Sequence, residues 1–249
     1  MKNILIIGQK SFIAKNFIED YSQKFNLLYF KKRFTNRYKK KFINILDKFI
    51  KKKKIKIVLN FAANNDNSYS SNYKDILESN FYLPASLLEL SEKNGVTLFL
   101  FLSKDMENNN KIKNFYSISK EMLHVLIKNK KHDFKLRVLN IDSIFGPHDT
   151  NYKRIFPSIF NNLYNKKKVK VKLKQTKRFS YVKDLNKIIF KIIFNKKKFI
   201  YKDVKSDQLN IKDIYSHFKI KKNNTSKKFI NYDALLLTAR WYKKYYGKK

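Results

Sequence analysis

Through the first 141 residues, short apolar runs alternate with segments whose apolar positions recur at helical spacing. Asn3–Ile7 (NILII), Asn26–Phe30 (NLLYF), Ile55–Phe61 (IKIVLNF), Thr97–Leu102 (TLFLFL) and Lys135–Ile141 (KLRVLNI) each read as a strand buried on both faces. Between them, Phe12, Ile13, Phe17 and Ile18, and again Leu83, Leu87, Leu88 and Leu90, carry the stripe of an amphipathic helix. Strand and helix alternating in this way predict an α/β fold, a doubly wound, Rossmann-type parallel sheet. Near Lys166 the period changes. Lys168 to Lys174 (KVKVKLK) alternates strictly at period two, which predicts a half-exposed strand whose lysines face water. Helices are expected again at Asp184 to Phe194 and around Tyr232 to Tyr246. No internal repeat is visible.

Composition narrows the class. With 43% hydrophobic and 16% aromatic residues, the chain is too apolar to remain disordered. The longest strongly apolar stretch, Val96 to Leu102, is far shorter than the roughly 20 residues a membrane span needs. Met1 to Gly8 holds a single lysine and no small-residue cleavage site, so no signal peptide is expected. With no cysteine there is neither a disulfide framework nor a thiolate metal site, and a cytoplasmic location is the default expectation. The histidines His124, His132, His148 and His217 lack metal-ligand spacing, and no metal site is expected.

Charge invites a different reading. Lys+Arg 57 against Asp+Glu 19 gives a net charge of +38, which by itself suggests a polyanionic partner. The excess, however, is almost entirely lysine, 51 residues against 6 arginines. Arginine is the better reader of phosphate, so selection for nucleic acid should have raised both. Lysine, asparagine, isoleucine, phenylalanine and tyrosine, all with A/T-rich codons, are enriched together, which attributes the basicity to mutational drift. Nucleic acid is therefore an unlikely partner, and a basic protein or nucleic-acid binder is kept only as the alternative.

Two local patterns carry chemistry. The first strand runs into Gly8-Gln9-Lys10-Ser11-Phe12-Ile13-Ala14 and then a helix. Small residues Gly8, Ser11 and Ala14 would let the backbone approach a pyrophosphate at the positive end of that helix, as in a dinucleotide-binding turn. Farther on, Tyr116-Ser117-Ile118-Ser119-Lys120 sets a phenol and an ammonium one helical turn apart. A free tyrosine has a pKa near 10, so an adjacent cation such as Lys120 is what would let Tyr116 exchange a proton at neutral pH. After the second strand, Lys31-Lys32-Arg33 follows with no acid nearby. That suits the 2′-phosphate of NADP better than the free ribose of NAD, so NADP is slightly favoured over NAD as cofactor.

In this order, the motifs resemble those of the extended short-chain dehydrogenase/reductase family, the NAD(P)-dependent epimerases, dehydratases and reductases of nucleotide sugars. The resemblance runs over nearly the whole chain: the turn at Gly8 to Ala14; Val58 to Ala63 (VLNFAA); Asn80, which would open a helix running through Leu87-Leu88; and the Tyr-x-x-x-Lys of Tyr116 and Lys120. It continues through Leu136-Arg137 to Ile144-Phe145-Gly146-Pro147, Arg178 to Asp184 (RFSYVKD) and the final helix around Ala234 to Tyr242. It implies a coenzyme domain over residues 1–150 and a smaller C-terminal substrate-binding region over 151–249, with 178–200 packing back on the first. It implies Tyr116 as acid/base, Lys120 as its partner and a second contact to coenzyme, and Ser103 as the nearest hydroxyl donor. Gly8, Ser11, Phe12, Ile13, Ala14, Lys31, Arg33, Ala62 and Ala63 become coenzyme contacts, and Arg178 and Asp105 contacts to a nucleotide-sugar substrate. A homodimer through helices flanking the tyrosine is a further implication. Two departures stand out. The family's Ser or Thr position falls on Lys104 with Ser103 one residue early, and the stretch from Ser103 to Tyr116 is about half the expected length. A cofactor-binding pseudoenzyme is therefore the alternative to an active oxidoreductase or epimerase.

Overall fold

The computed structural model describes residues 1–65, 72–103, 114–164, 174–220 and 232–247. Its chain divides into two compact units, one formed by Met1–Asn140 with Ile189–Asp203, the other by Ile141–Ile188 with Val204–Lys249.

In the first unit the strands are β1 (Asn3–Ile7), β2 (Asn26–Tyr29), β3 (Ile57–Asn60), β4 (Thr97–Ser103), β5 (Leu136–Ile141) and β8 (Phe199–Asp203). They form one sheet in the order β2-β1-β3-β4-β5-β8, with β1–β2, β1–β3, β3–β4 and β5–β8 paired in parallel. Its helices are α1 (Phe12–Tyr21), α2 (Lys39–Lys52), α3 (Tyr73–Leu77), α4 (Leu83–Asn94) and α5 (Phe115–Asn129). Alternate strand residues face opposite sides of the sheet, which explains why the central strands are apolar at successive positions. Leu5, Ile7, Val58, Leu98, Leu100, Leu102, Leu136 and Val138 pack with Leu46 of α2, Leu87 of α4 and Leu123 of α5 on one face. On the other face aromatic rings meet: Phe17 of α1 lies 5.9 Å from Phe61, Phe61 stacks on Phe101 at 5.2 Å, and Tyr21 stacks on Phe190 at 4.8 Å. Covered on both sides in this way, β1, β3, β4 and β5 are buried along most of their length. β2, expected to be buried on both faces, is not: at the sheet edge its Asn26 and Tyr29 are exposed and its Leu27 and Leu28 half-buried.

The five expected strands lie within two residues of the observed ones. β8 was not expected. Its pattern is half-exposed, and its apolar run is only Phe199-Ile200-Tyr201 before Lys202-Asp203. It is fixed instead through Arg137, fully buried in β5, whose guanidinium donates to the carbonyls of Lys198 (2.9 Å) and Asn195 (2.9 Å). Asn80 does not open a helix. The helical run starts at Tyr73, where Asn72 caps α3 by accepting from Lys74 N at 3.1 Å, and Asn80 sits in a π-helical turn over Glu78–Tyr82 before α4.

In the second unit β6 (Ser143–Phe145) lies parallel to β7 (Thr176–Tyr181), which pairs antiparallel with β9 (Asp207–Asn210). The helices α6 (Ile155–Tyr164), α8 (Ile211–Ile220) and α9 (Tyr232–Tyr246) belong to this unit, and α7 (Val182–Ile193) begins in it. Stacked rings build its core, Phe145 on Phe156 at 4.6 Å and Phe160 on Tyr242 at 4.8 Å. The period-two strand expected at 168–174 falls almost wholly outside the described residues. Among the described residues no helix is long and apolar enough to cross a membrane, and no cluster of side chains could hold a metal ion.

Candidate active site

The strand order places one crevice. β1 connects to β2 on one side and β3 lies on the other, so the winding reverses between β1 and β3, the position at which open α/β sheets receive ligands beyond their carboxyl ends. Gly8 leaves β1 with φ +80°. A Cβ there would stand 2.4 Å from the backbone nitrogen of Ala62, so only glycine lets the exits of β1 and β3 lie together. Ser11 closes the turn, donating its N–H to Gly8 O at 2.9 Å, and its hydroxyl caps α1 by accepting from Ala14 N at 3.2 Å. Phe12 and Ile13 form the first turn of α1, and Ala14 is fully buried. Ala62 N donates to Asn60 Oδ1 at 3.2 Å, which shapes the turn carrying Ala62 and Ala63. Small residues, a close backbone approach and the positive end of a ten-residue helix fit a dinucleotide pyrophosphate.

The Tyr-x-x-x-Lys segment stands on α5. Asn114 caps this helix by accepting from Ser117 N at 2.9 Å, which sets Phe115 and Tyr116 in the first turn. Tyr116 is half-buried, whereas Lys120, one turn later, is 7% exposed. Its ammonium donates to Phe101 O of β4 at 3.4 Å, and burial pushes its pKa down to about 8. Because β4 neighbours β3, and Phe101 stacks on Phe61, the amine lies at the carboxyl end of the strand next to the Ala62 turn. Ser103, half-buried, is the last residue of β4, two positions beyond Phe101.

One further residue ties these parts together, and no sequence pattern had singled it out for this role. Asn80, 1% exposed, accepts from Asn64 N (2.9 Å), donates to Asn64 O (2.9 Å) and donates to Ser119 Oγ (3.1 Å). Ser119 in turn donates to Tyr116 O at 2.7 Å. The π turn thus links the segment after β3 to the helix of Tyr116 and Lys120.

Other expected residues lie apart from this cluster or engage other groups. Lys31 is exposed beyond β2, and the Arg33 guanidinium, with its side chain 79% exposed, pairs with Asp75 of α3 at 3.2 Å. Arg178 belongs to the second unit. On β7 it donates from Nε to Ser206 Oγ at 3.2 Å and stands 4.0 Å from Asp142, whose carboxylate accepts from that same hydroxyl. Lys104 and Asp105 lie outside the described residues.

Fold and site together define a Rossmann-type α/β protein with a glycine turn at the switch point and a Tyr-x-x-x-Lys helix beside it. Residues 4–204 match the NAD dependent epimerase/dehydratase family, and the chain belongs to that family. No curated protein sequence matches it. Among solved structures, the chain is similar to a dTDP-glucose 4,6-dehydratase from Bacillus anthracis in complex with NAD, at TM-score 0.79 and 16% identity over 98% of this chain and 97% of that one. It is similar to a UDP-glucose 4-epimerase from Thermotoga maritima with UDP-glucose, at TM-score 0.79 and 13% identity over 98% and 99%. A third is the dTDP-4-dehydrorhamnose reductase of B. anthracis in complex with NADP, at TM-score 0.71 and 15% identity over 89% and 81%. At such identities the likeness is one of fold.

Proposed function

We propose that the protein is an NAD(P)-dependent oxidoreductase or epimerase of a nucleotide-activated sugar, a 4-keto sugar reductase or epimerase serving surface polysaccharide synthesis in the cytoplasm. One observation carries this reading. A buried lysine, one turn after Tyr116, points its amine at the end of β4, beside the crevice where Gly8 meets Ala62. When bound, a nicotinamide coenzyme supplies hydride exchange with a sugar carbon. Tyr116 gives or takes the proton at the sugar oxygen, and the Lys120 cation stabilises its phenolate. Gly8, Ser11, Phe12, Ile13 and Ala14 hold the pyrophosphate, Ala62 and Ala63 form the opposite wall, and Lys31 and Arg33 favour NADP through its 2′-phosphate. Ser103, one residue before the family's Ser or Thr position, is the hydroxyl nearest in sequence to donate to the reacting sugar oxygen. Arg178, with its fork of donors, grips the substrate diphosphate, and the Ser206 contact on Nε orients it. Phe115, Ile118, Met122 and Val125 form an exposed apolar stripe on α5, 37–54% accessible, which supports pairing of two copies through this helix.

Replacing Tyr116 with phenylalanine tests the assignment. Turnover of 4-keto nucleotide sugars, followed by coenzyme absorbance, should fall by about 10²–10⁴-fold, the range typical of a lost general acid. Coenzyme affinity should stay within about twofold, since the ring and helix remain. Undiminished turnover refutes the role of Tyr116.

A further inference from the structure

The loop after β2 is held from outside by a single helical run. Asp75 of α3 pairs with Arg33 at 3.2 Å, and three residues later the carboxylate of Glu78, 6% exposed, accepts the backbone N–H of Asn36 at 3.0 Å. Asp75 and Glu78 stand at i and i+3, on one helical face, and both reach the 33–36 loop. The same run continues into Asn80, which grips Asn64 and Ser119. Residues 75–80 therefore join the loop beyond β2, the segment beyond β3 and the Tyr116 helix. The contacts differ in weight. Arg33 and Asp75 are exposed to 79% and 43%, where an ion pair adds little. The Glu78 bond is shielded from water and charge-assisted, so it anchors the loop.

We propose that Glu78 is a positioning residue for coenzyme choice: through the Asn36 N–H it fixes the loop so that Lys31 and Arg33 meet the 2′-phosphate of NADP. Glu78 acts through backbone, because its carboxylate is spent on an amide and would repel a phosphate it faced directly. The inference rests on the reading of Lys31 and Arg33 as 2′-phosphate contacts. It carries a particular consequence. Loosening the loop harms NADPH, which those cations grip, and spares NADH, which offers them no phosphate.

Fluorescence titration of NADPH and NADH against the full chain tests this. In Glu78→Ala the Kd for NADPH should rise about tenfold, as expected from one lost buried charge-assisted bond, with NADH within about twofold. Glu78→Gln keeps a carbonyl oxygen for the Asn36 N–H and should restore the preference. Asn36→Pro removes the donor instead and should reproduce the loss even if Glu78→Ala does not fold. Residue 36 opens a short 3₁₀ turn and Thr35 before it is extended, so proline fits there. Equal weakening of both coenzymes, or no change, in Glu78→Ala and Asn36→Pro overturns the inference. Should Lys31→Ala/Arg33→Ala leave the NADPH-to-NADH ratio unaltered, the 2′-phosphate reading itself fails, and the role of Glu78 fails with it.

Discussion

Replacing Gly8 with alanine probes the packing on which the coenzyme crevice depends. At φ +80° an L side chain costs about 1–2 kcal/mol. The added carbon would also stand 2.4 Å from Ala62 N and 2.7 Å from Ala62 Cα, about 1 Å inside van der Waals contact with backbone that has no rotamer to change. Overpacking of this kind costs about 1–3 kcal/mol. Together these give a loss of about 3 kcal/mol, a sizeable part of the stability of a domain. If the structure yields by separating the exits of β1 and β3 by about 1 Å, coenzyme affinity should fall, and turnover should drop on the order of 100-fold, the penalty typical of such a misplacement. Gly95 supplies the control. It has φ +61°, yet nothing lies within 4 Å of its Cβ position. Gly95→Ala should therefore lose only the dihedral cost, about 1 kcal/mol, with coenzyme affinity unchanged. Urea unfolding and NADPH titration of the two variants make the comparison. A Gly8→Ala protein no less stable than Gly95→Ala, with wild-type affinity, would refute the argument.

Two further outcomes are expected. Burial lowers Lys120 from 10.5 to about 8, so between those pH values the unfolded chain holds a proton that the folded protein has released. Stability must then rise with pH across that window, by up to about 3 kcal/mol for a shift of this size, relative to Lys120→Met, which has no such proton. Unfolding midpoints of both proteins at pH 7.5 and 10 check the sign, and equal changes would contradict it. The α5 stripe predicts a dimer by light scattering and a monomer for Val125→Glu, which puts a charge on its most exposed apolar position; a monomeric wild-type protein would exclude pairing through α5.

The sequence was most legible where burial is two-sided. β1, β3, β4 and β5 are apolar at successive positions because both faces of the sheet are covered, Arg137 and Asn140 of β5 excepted, and helix spacing between them dictates parallel pairing. Elements with wet faces mostly escaped, β2 with its Leu27-Leu28 excepted. β8 and β9 are short and charged, and β6 has only three residues. The start of α3 did leave a mark, an asparagine cap at Asn72 with an acid at Asp75, in the pattern of a helix N-terminus. The site was legible in part. Gly8, Ser11 and Ala14 are local to one turn, and Tyr116 with Lys120 to one helix, so spacing reaches them. Asp75 and Glu78 meet Arg33 and Asn36 across 42 residues, and Asn80 meets Ser119 across 39. No spacing rule reads such pairs, since only the folded sheet brings them together. Arg33 illustrates the consequence: in sequence it has no acid nearby, and in the fold it has Asp75.

A dinucleotide coenzyme is proposed to bind beyond the exits of β1 and β3, where Gly8 packs against Ala62, beside Tyr116. Native mass spectrometry of the full chain, purified without added ligand and then titrated with NADPH and NADH, decides this. One coenzyme per chain is expected, with NADPH held more tightly and the adduct lost in Gly8→Ala. A wild-type chain that carries and takes up neither coenzyme would contradict it.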